Sequence, residues 1–169
     1  MKKILLLAAF AMMAMAMSAQ VMLDVYVSDD TQPTNYRNAP KGDIVGQLEN
    51  GDMISVDRCV NGWFRITGSE YYNGEGDYTY RYKGEKWIHC SVVTVSWMQD
   101  GSVNFTLRAT PSKKGKVVHR GYANKWLDGN NITHVLDFNK NWVKLSLKNG
   151  KTGWVERNLV CGNSLTVCM

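Results

Sequence analysis

The chain has 169 residues, a formal net charge of +5, 44% hydrophobic and 21% charged residues, and only 3 prolines. That balance excludes a disordered tail, a collagen-like fibre and a coiled coil.

The first element is an address. Lys2 and Lys3 precede an apolar run from Ile4 to Met17, closed by Ser18-Ala19-Gln20. A basic start, an apolar stretch and a small-residue cleavage site make a secretory signal peptide over residues 1–19. The run is short for a bilayer span and no stop-transfer segment follows, so the mature chain is expected to be exported, periplasmic or extracellular, with no transmembrane segment. No cysteine stands near the cut, so no lipoprotein anchor is expected.

After residue 20 the pattern is that of strands. Ile54-Ser55-Val56-Asp57, Tyr78-Thr79-Tyr80-Arg81-Tyr82 and Val143-Lys144-Leu145-Ser146-Leu147 alternate in the manner of half-buried strands. Asn50-Gly51, Asn61-Gly62, Asn73-Gly74, Asp100-Gly101, Asp128-Gly129 and Asn149-Gly150 supply the residues that tight turns with positive φ require. No stretch sustains a 3.6-residue period, so the protein is expected to be all-β.

The elements also recur. Asn35-Tyr36-Arg37-Asn38-Ala39-Pro40 matches Thr106-Leu107-Arg108-Ala109-Thr110-Pro111. Val56 to Ile66 matches Val135 to Leu145 without gaps, aligning Trp63 with Trp142. Gly84-Glu85-Lys86-Trp87-Ile88 matches Lys151-Thr152-Gly153-Trp154-Val155. Arginine to first tryptophan spans 26 residues in the first copy and 34 in the second; first to second tryptophan spans 24 and 12. Two insertions absorb the difference, at 69–83 and at 122–131. Surface loops tolerate such changes and core strands do not, so both are expected as loops or extended hairpins.

The order Leu-Arg-x-x-Pro, Gly and aliphatics, Asn-x-Trp, then Gly-Trp-Val resembles the bacterial SH3 (SH3b) domain. It is clearest in Leu107-Arg108-Ala109-Thr110-Pro111, Asn141-Trp142 and Gly153-Trp154-Val155; the first copy departs by having Lys86 before its second tryptophan. The resemblance implies two small SH3-like β-barrels in tandem, at 20–95 and 96–169. It also implies ligands among cell-wall (peptidoglycan) peptides or glycans. The alternative is a protein–protein adaptor or accessory subunit of the cell envelope. The connection from Val93 to Asn104 lacks linker character, so the copies are expected to pack together, with Trp97 sealing the junction.

Chemistry-bearing residues are few. Cys59, Cys90, Cys161 and Cys168 all lie in the exported part, where three pairings are open to them. Cys59–Cys90 and Cys161–Cys168 keep each bridge within one copy and are the expected disulfides; free thiols are the alternative. Cys59 and Cys90 with His89, His119 and His134 invite a thiol-peptidase reading. A nucleophilic cysteine needs a base and a seat, commonly a helix N-terminus, and no helix is expected here. His89-Cys90 lacks a second close ligand pair for a metal. No catalysis, metal or cofactor is therefore expected. The candidate ligand contacts are Tyr71, Tyr78, Tyr80 and Tyr82 in the first insertion and Trp126 in the second, flat amphipathic side chains suited to sugar rings or peptide. Residues 20–93 carry a net charge of −4 and residues 94–169 a net charge of +7, which suits an anionic partner or mutual attraction of the halves. Export makes nucleic acid an unsuitable partner.

Overall fold

The computed structural model describes residues 21–31, 33–72, 77–98, 102–124 and 131–162, with the side chains of all but 69–72 and 77–83. The expected signal peptide, Trp126 and Cys168 lie outside these residues. Among the described residues the protein is all-β, with two single turns of 3-10 helix and no α-helix. No helix among them is long and apolar enough to cross a membrane.

The first half contributes β1 (Leu23–Val27), β2 (Thr34–Arg37), β3 (Ile44–Leu48), β4 (Met53–Val60), β5 (Trp63–Tyr72), β6 (Asp77–His89), the turn η1 (Cys90–Val92) and β7 (Val93–Thr94). The second contributes β8 (Ser96–Trp97), β9 (Ser102–Arg108), β10 (Val117–Asn124), β11 (Ile132–Phe138), β12 (Trp142–Leu147), β13 (Thr152–Glu156), the turn η2 (Arg157–Leu159) and β14 (Val160–Cys161). They form a seven-stranded sheet in the order β3-β2-β6-β5-β4-β1-β7, a five-stranded sheet in the order β10-β9-β13-β12-β11, and the pair β14-β8. The order β3-β2-β6-β5-β4 is that of β10-β9-β13-β12-β11, one element for one.

Local chemistry explains the turns. Asn61 and Gly62 both have positive φ, 50° and 79°, so a two-residue turn joins β4 to β5 with the hand that strand twist favours. Along β4, Ile54 and Val56 are buried while their neighbours are not, the period-two pattern of a sheet with one covered face. The first insertion lengthens β5 and β6 into one hairpin, with Tyr71 opposite Tyr78 and Ser69 opposite Tyr80.

The repeated arginine does the same work in both halves. Arg37 Nη1 donates to the Gly42 carbonyl at 2.7 Å, and Arg108 Nη1 to the Gly115 carbonyl at 2.9 Å. Each thereby braces the loop that carries the proline. Each also faces the second tryptophan of its own half, Arg37 opposite Trp87 and Arg108 opposite Trp154.

A single apolar cluster runs through both halves. Val93, Thr94, Val95, Ser96 and Trp97 are all buried, so the connection is core rather than linker. Phe64 meets Phe138 with ring centroids 5.8 Å apart, and Thr94 Oγ1 donates to the Ile132 carbonyl at 3.4 Å.

At the approach to β2, Asp29 accepts hydrogen bonds from the Thr31 amide (2.9 Å), the Thr31 hydroxyl (2.9 Å) and the Thr34 hydroxyl (2.8 Å). The Thr31 amide is the main reason its pKa lies below the ordinary 3.8, with smaller help from the hydroxyls against some burial. A lowered carboxylate pKa contributes stability above the unfolded value and loses it as pH falls through the folded value. Asp29→Asn is therefore expected to flatten the loss of melting temperature below about pH 4, measured by thermal melts across the acid range.

Candidate functional site

The second half carries a groove of about 800 Å³ between three turns. The β9–β10 loop brings Lys113, the β11–β12 turn brings Lys140, and the end of β13 with η2 brings Glu156 and Arg157. Trp142, Met98 and Val160 supply apolar walls. Lys113 Nζ lies 3.7 Å from Glu156 Oε1, with both side chains well exposed, a pair worth little in water. Lys140 joins no ion pair among the described residues. The rim holds three cations against one carboxylate.

The walls are held in place by backbone chemistry. Asn139 Oδ1 accepts from the amides of Asn141 and Trp142, both at 3.0 Å, and the Asn139 amide donates to the Trp142 carbonyl at 2.9 Å. This side-chain turn fixes where β12 starts and so where the Trp142 ring stands. The Arg157 amide donates to the Asn141 carbonyl at 2.9 Å, and the Gly115 amide to Ser112 at 2.9 Å. Arg157 also donates through Nη2 to the Met22 carbonyl of the first half. Apolar walls beneath a cationic rim can hold an extended ligand that carries carboxylates.

The equivalent place in the first half is differently furnished. Trp63 is covered by Arg37, whose Cζ lies 6.0 Å from the ring centroid, and meets His89 edge-on at 5.1 Å. Asn61 stands for Lys140, and Cys90 stands for Arg157.

The expected Cys59–Cys90 disulfide is corrected: both are free thiols. Cys59 Sγ instead donates to the Leu136 carbonyl at 3.7 Å, across to β11. Burial foremost, then the nearby Asp137 charge, pushes Cys59 up to about 11, and burial likewise raises Cys90. The thiolate is the reactive form. A rise from 9.0 to about 11 implies about 100-fold less thiolate at Cys59 near neutral pH. Iodoacetamide at pH 7.5 is expected to alkylate both thiols far more slowly in native protein than in urea, read by mass spectrometry. Cys161 is buried in β14, and its expected partner Cys168 is outside the described residues.

Of the five expected ligand contacts, Trp126 lies outside the described residues. Tyr71, Tyr78, Tyr80 and Tyr82 lie on the β5–β6 hairpin with their side chains outside them. His119 packs against Phe105 at 5.9 Å, and His89 Nδ1 pairs with Ser91 Oγ at 2.8 Å. No group of three or more metal-binding side chains occurs among the described residues. The groove residues were not singled out from the sequence, yet a signal was present. Position by position, the second copy places cations where the first has Asn61 and Cys90.

No family model and no curated protein matches the sequence. Among solved structures, NlpC2 from Trichomonas vaginalis is similar at 12% identity and a TM-score of 0.31, over 85% of this chain and 49% of that one. NlpC1 from the same organism is similar at 14% identity and a TM-score of 0.32, over 85% and 46%. The chain thus spans about half the length of either.

Proposed function

We propose that the protein is a non-catalytic, exported binding protein made of two SH3-like barrels that recognises cell-wall peptide or glycan through the groove of its second half. The observation that carries this is the cationic rim of Lys113, Lys140 and Arg157 on a groove walled by Trp142, Met98 and Val160. Cell-wall stem peptides expose free carboxylates on short extended chains, the chemistry such a rim attracts. The residue 1–19 pattern supports export, and the duplicated strand order supports the tandem reading. The raised thiol pKa values weigh against a cysteine nucleophile.

Retention on purified sacculi tests this. Wild-type protein is expected to sediment with them and to be released by salt, which screens exposed charge. Lys113→Glu and Lys140→Glu are each expected to weaken retention about tenfold, the loss of roughly one charge-assisted hydrogen bond. Folded protein that fails to sediment at low salt would remove the proposal.

A second reading, an envelope adaptor, is favoured by the outer strand β3, where Ile44 is 51% and Val45 40% exposed. Uncovered edge strands with aliphatic side chains invite pairing. Co-purification of a stoichiometric partner without sacculus retention would select that reading.

A further inference from the structure

The two large sheets end alike. β3 is the outermost strand of the seven-stranded sheet and β10 of the five-stranded one, and among the described residues neither has a strand on its outer side. The two are equivalent in the repeat, and each carries one extra residue against its inner neighbour. In β3 that residue is Val45, between Ile44 and Gly46; in β10 it is Val118, between Val117 and His119.

Apolar surface collects on these edges. Of the six large hydrophobic side chains exposed among the described residues, four stand here: Ile44 and Val45 on β3, Val118 at 44% and Tyr122 at 56% exposure on β10. Water satisfies an exposed charge, but it drives aliphatic and aromatic surface together. Charge differs between the two edges. Exposed Asp43 and Glu49 bracket β3, with Lys41 the one cation beside them. Exposed Lys114, Lys116 and Arg120 lie along β10 and its approach, and no acidic residue occurs from Thr106 to Leu127. None of Asp43, Glu49, Lys114, Lys116 and Arg120 joins an ion pair among the described residues.

We propose that β3 of one molecule pairs antiparallel with β10 of a second copy, so that the chain associates head to tail. The open backbone of each edge supplies the rungs. With Val45 opposite Val118, the antiparallel register sets Asp43 opposite Arg120 and brings Glu49 toward Lys114. Unlike charges directly opposed favour a strand pair, and like charges oppose it. Pairing β10 with β10 would set cations against cations. The charges that keep this edge from its own kind therefore select the acidic edge of the other half. Because the two edges are different patches, the assembly either closes as a ring or extends as a chain. Two short strands make a small contact, so the association is weak. Neither Asp43 nor Arg120 lines the cationic groove, and the inference stands independently of the sacculus proposal. It gives β3 a second copy of this chain where the adaptor reading gives it a foreign partner.

Sedimentation velocity of the purified protein from about 2 to about 500 µM tests this, a range that brackets a Kd of about 50 µM. The weight-average sedimentation coefficient is expected to rise with concentration and to fall back in about 0.5 M salt. Asp43→Arg and Arg120→Asp change exposed side chains, so each variant is expected to keep the wild-type circular dichroism. Each is expected to weaken association at least about fivefold. The double variant sets a base opposite an acid again and is expected to recover most of that loss. An equimolar mixture of the two single variants offers the same complementary edges and is expected to associate more tightly than either variant alone. A monomer at every concentration would overturn the proposal. Association untouched by Arg120→Asp would mean that β3 pairs with β3 and would overturn it too, as would a double variant no better than the single ones.

Discussion

Trp97→Ala is expected to lower the unfolding free energy by about 3–5 kcal/mol, more than any substitution in the groove. Trp97 is 2% exposed. Its ring stacks on Phe105 with centroids 4.4 Å apart and planes 20° apart, a geometry worth about 0.5–1.5 kcal/mol beyond burial. Its indole Nε1 donates to Asn131 Oδ1 at 2.8 Å, so truncation also leaves an amide oxygen unpaired. Gly121 packs closely against Phe105, where a Cβ would stand 2.3 Å from the ring. Urea unfolding followed by circular dichroism measures the loss. Trp97→Phe keeps most of the stacking and is expected to lose only about 1 kcal/mol, that of the hydrogen bond. A loss below about 1 kcal/mol for the alanine variant would show that the junction does not bind the halves together.

Arg65→Met is expected to cost about 3–5 kcal/mol. Arg65 grips Asp57 with Nε at 2.9 Å and Nη2 at 2.6 Å, and reaches Glu85 through Nη1 at 3.1 Å. The Asp57 side chain is fully shielded from solvent. Removing the arginine alone leaves that carboxylate buried without its charge partner. Methionine keeps the length and apolar stem, so the loss reports charge rather than volume. The double variant Arg65→Met with Asp57→Asn is expected to recover part of it, because neither charge is then stranded. Equal losses in the single and double variants, by urea unfolding, would show that packing and not pairing sets the cost. The clamp ties β4, β5 and β6 together at the base of the lengthened hairpin. The second half has Leu136, Lys144 and Thr152 at these places and a short β12–β13 turn.

The all-β class was legible because alternation and Asn-Gly turns are local signals. Asn61-Gly62 marks a two-residue turn and nothing else fits it as well. The arginine-to-proline spacing was legible too, since Arg37 and Arg108 act within their own loops. The groove was not. Lys113, Lys140 and Arg157 come from three separate turns, and only the folded order of β9, β13 and β12 brings those turns to one side. The thiol pair was misread for a related reason. Keeping each bridge within one copy made Cys59 and Cys90 look like a staple, whereas the second half offers Cys59 a carbonyl on β11, a long-range contact with no local trace.

The strand pairs that close each half carry a further consequence. Tyr26 lies opposite Thr94 and Val27 opposite Val93, while Trp97 lies opposite Val160 and Ser96 opposite Cys161. The polypeptide therefore enters and leaves each half through the same doorway. Length added to the β5–β6 hairpin leaves the β1–β7 pairing intact, which is how the first copy could grow at 69–83 without displacing the second. The same feature makes copying easy: a segment whose two ends are neighbours can be inserted whole, its threshold already fitted to the next.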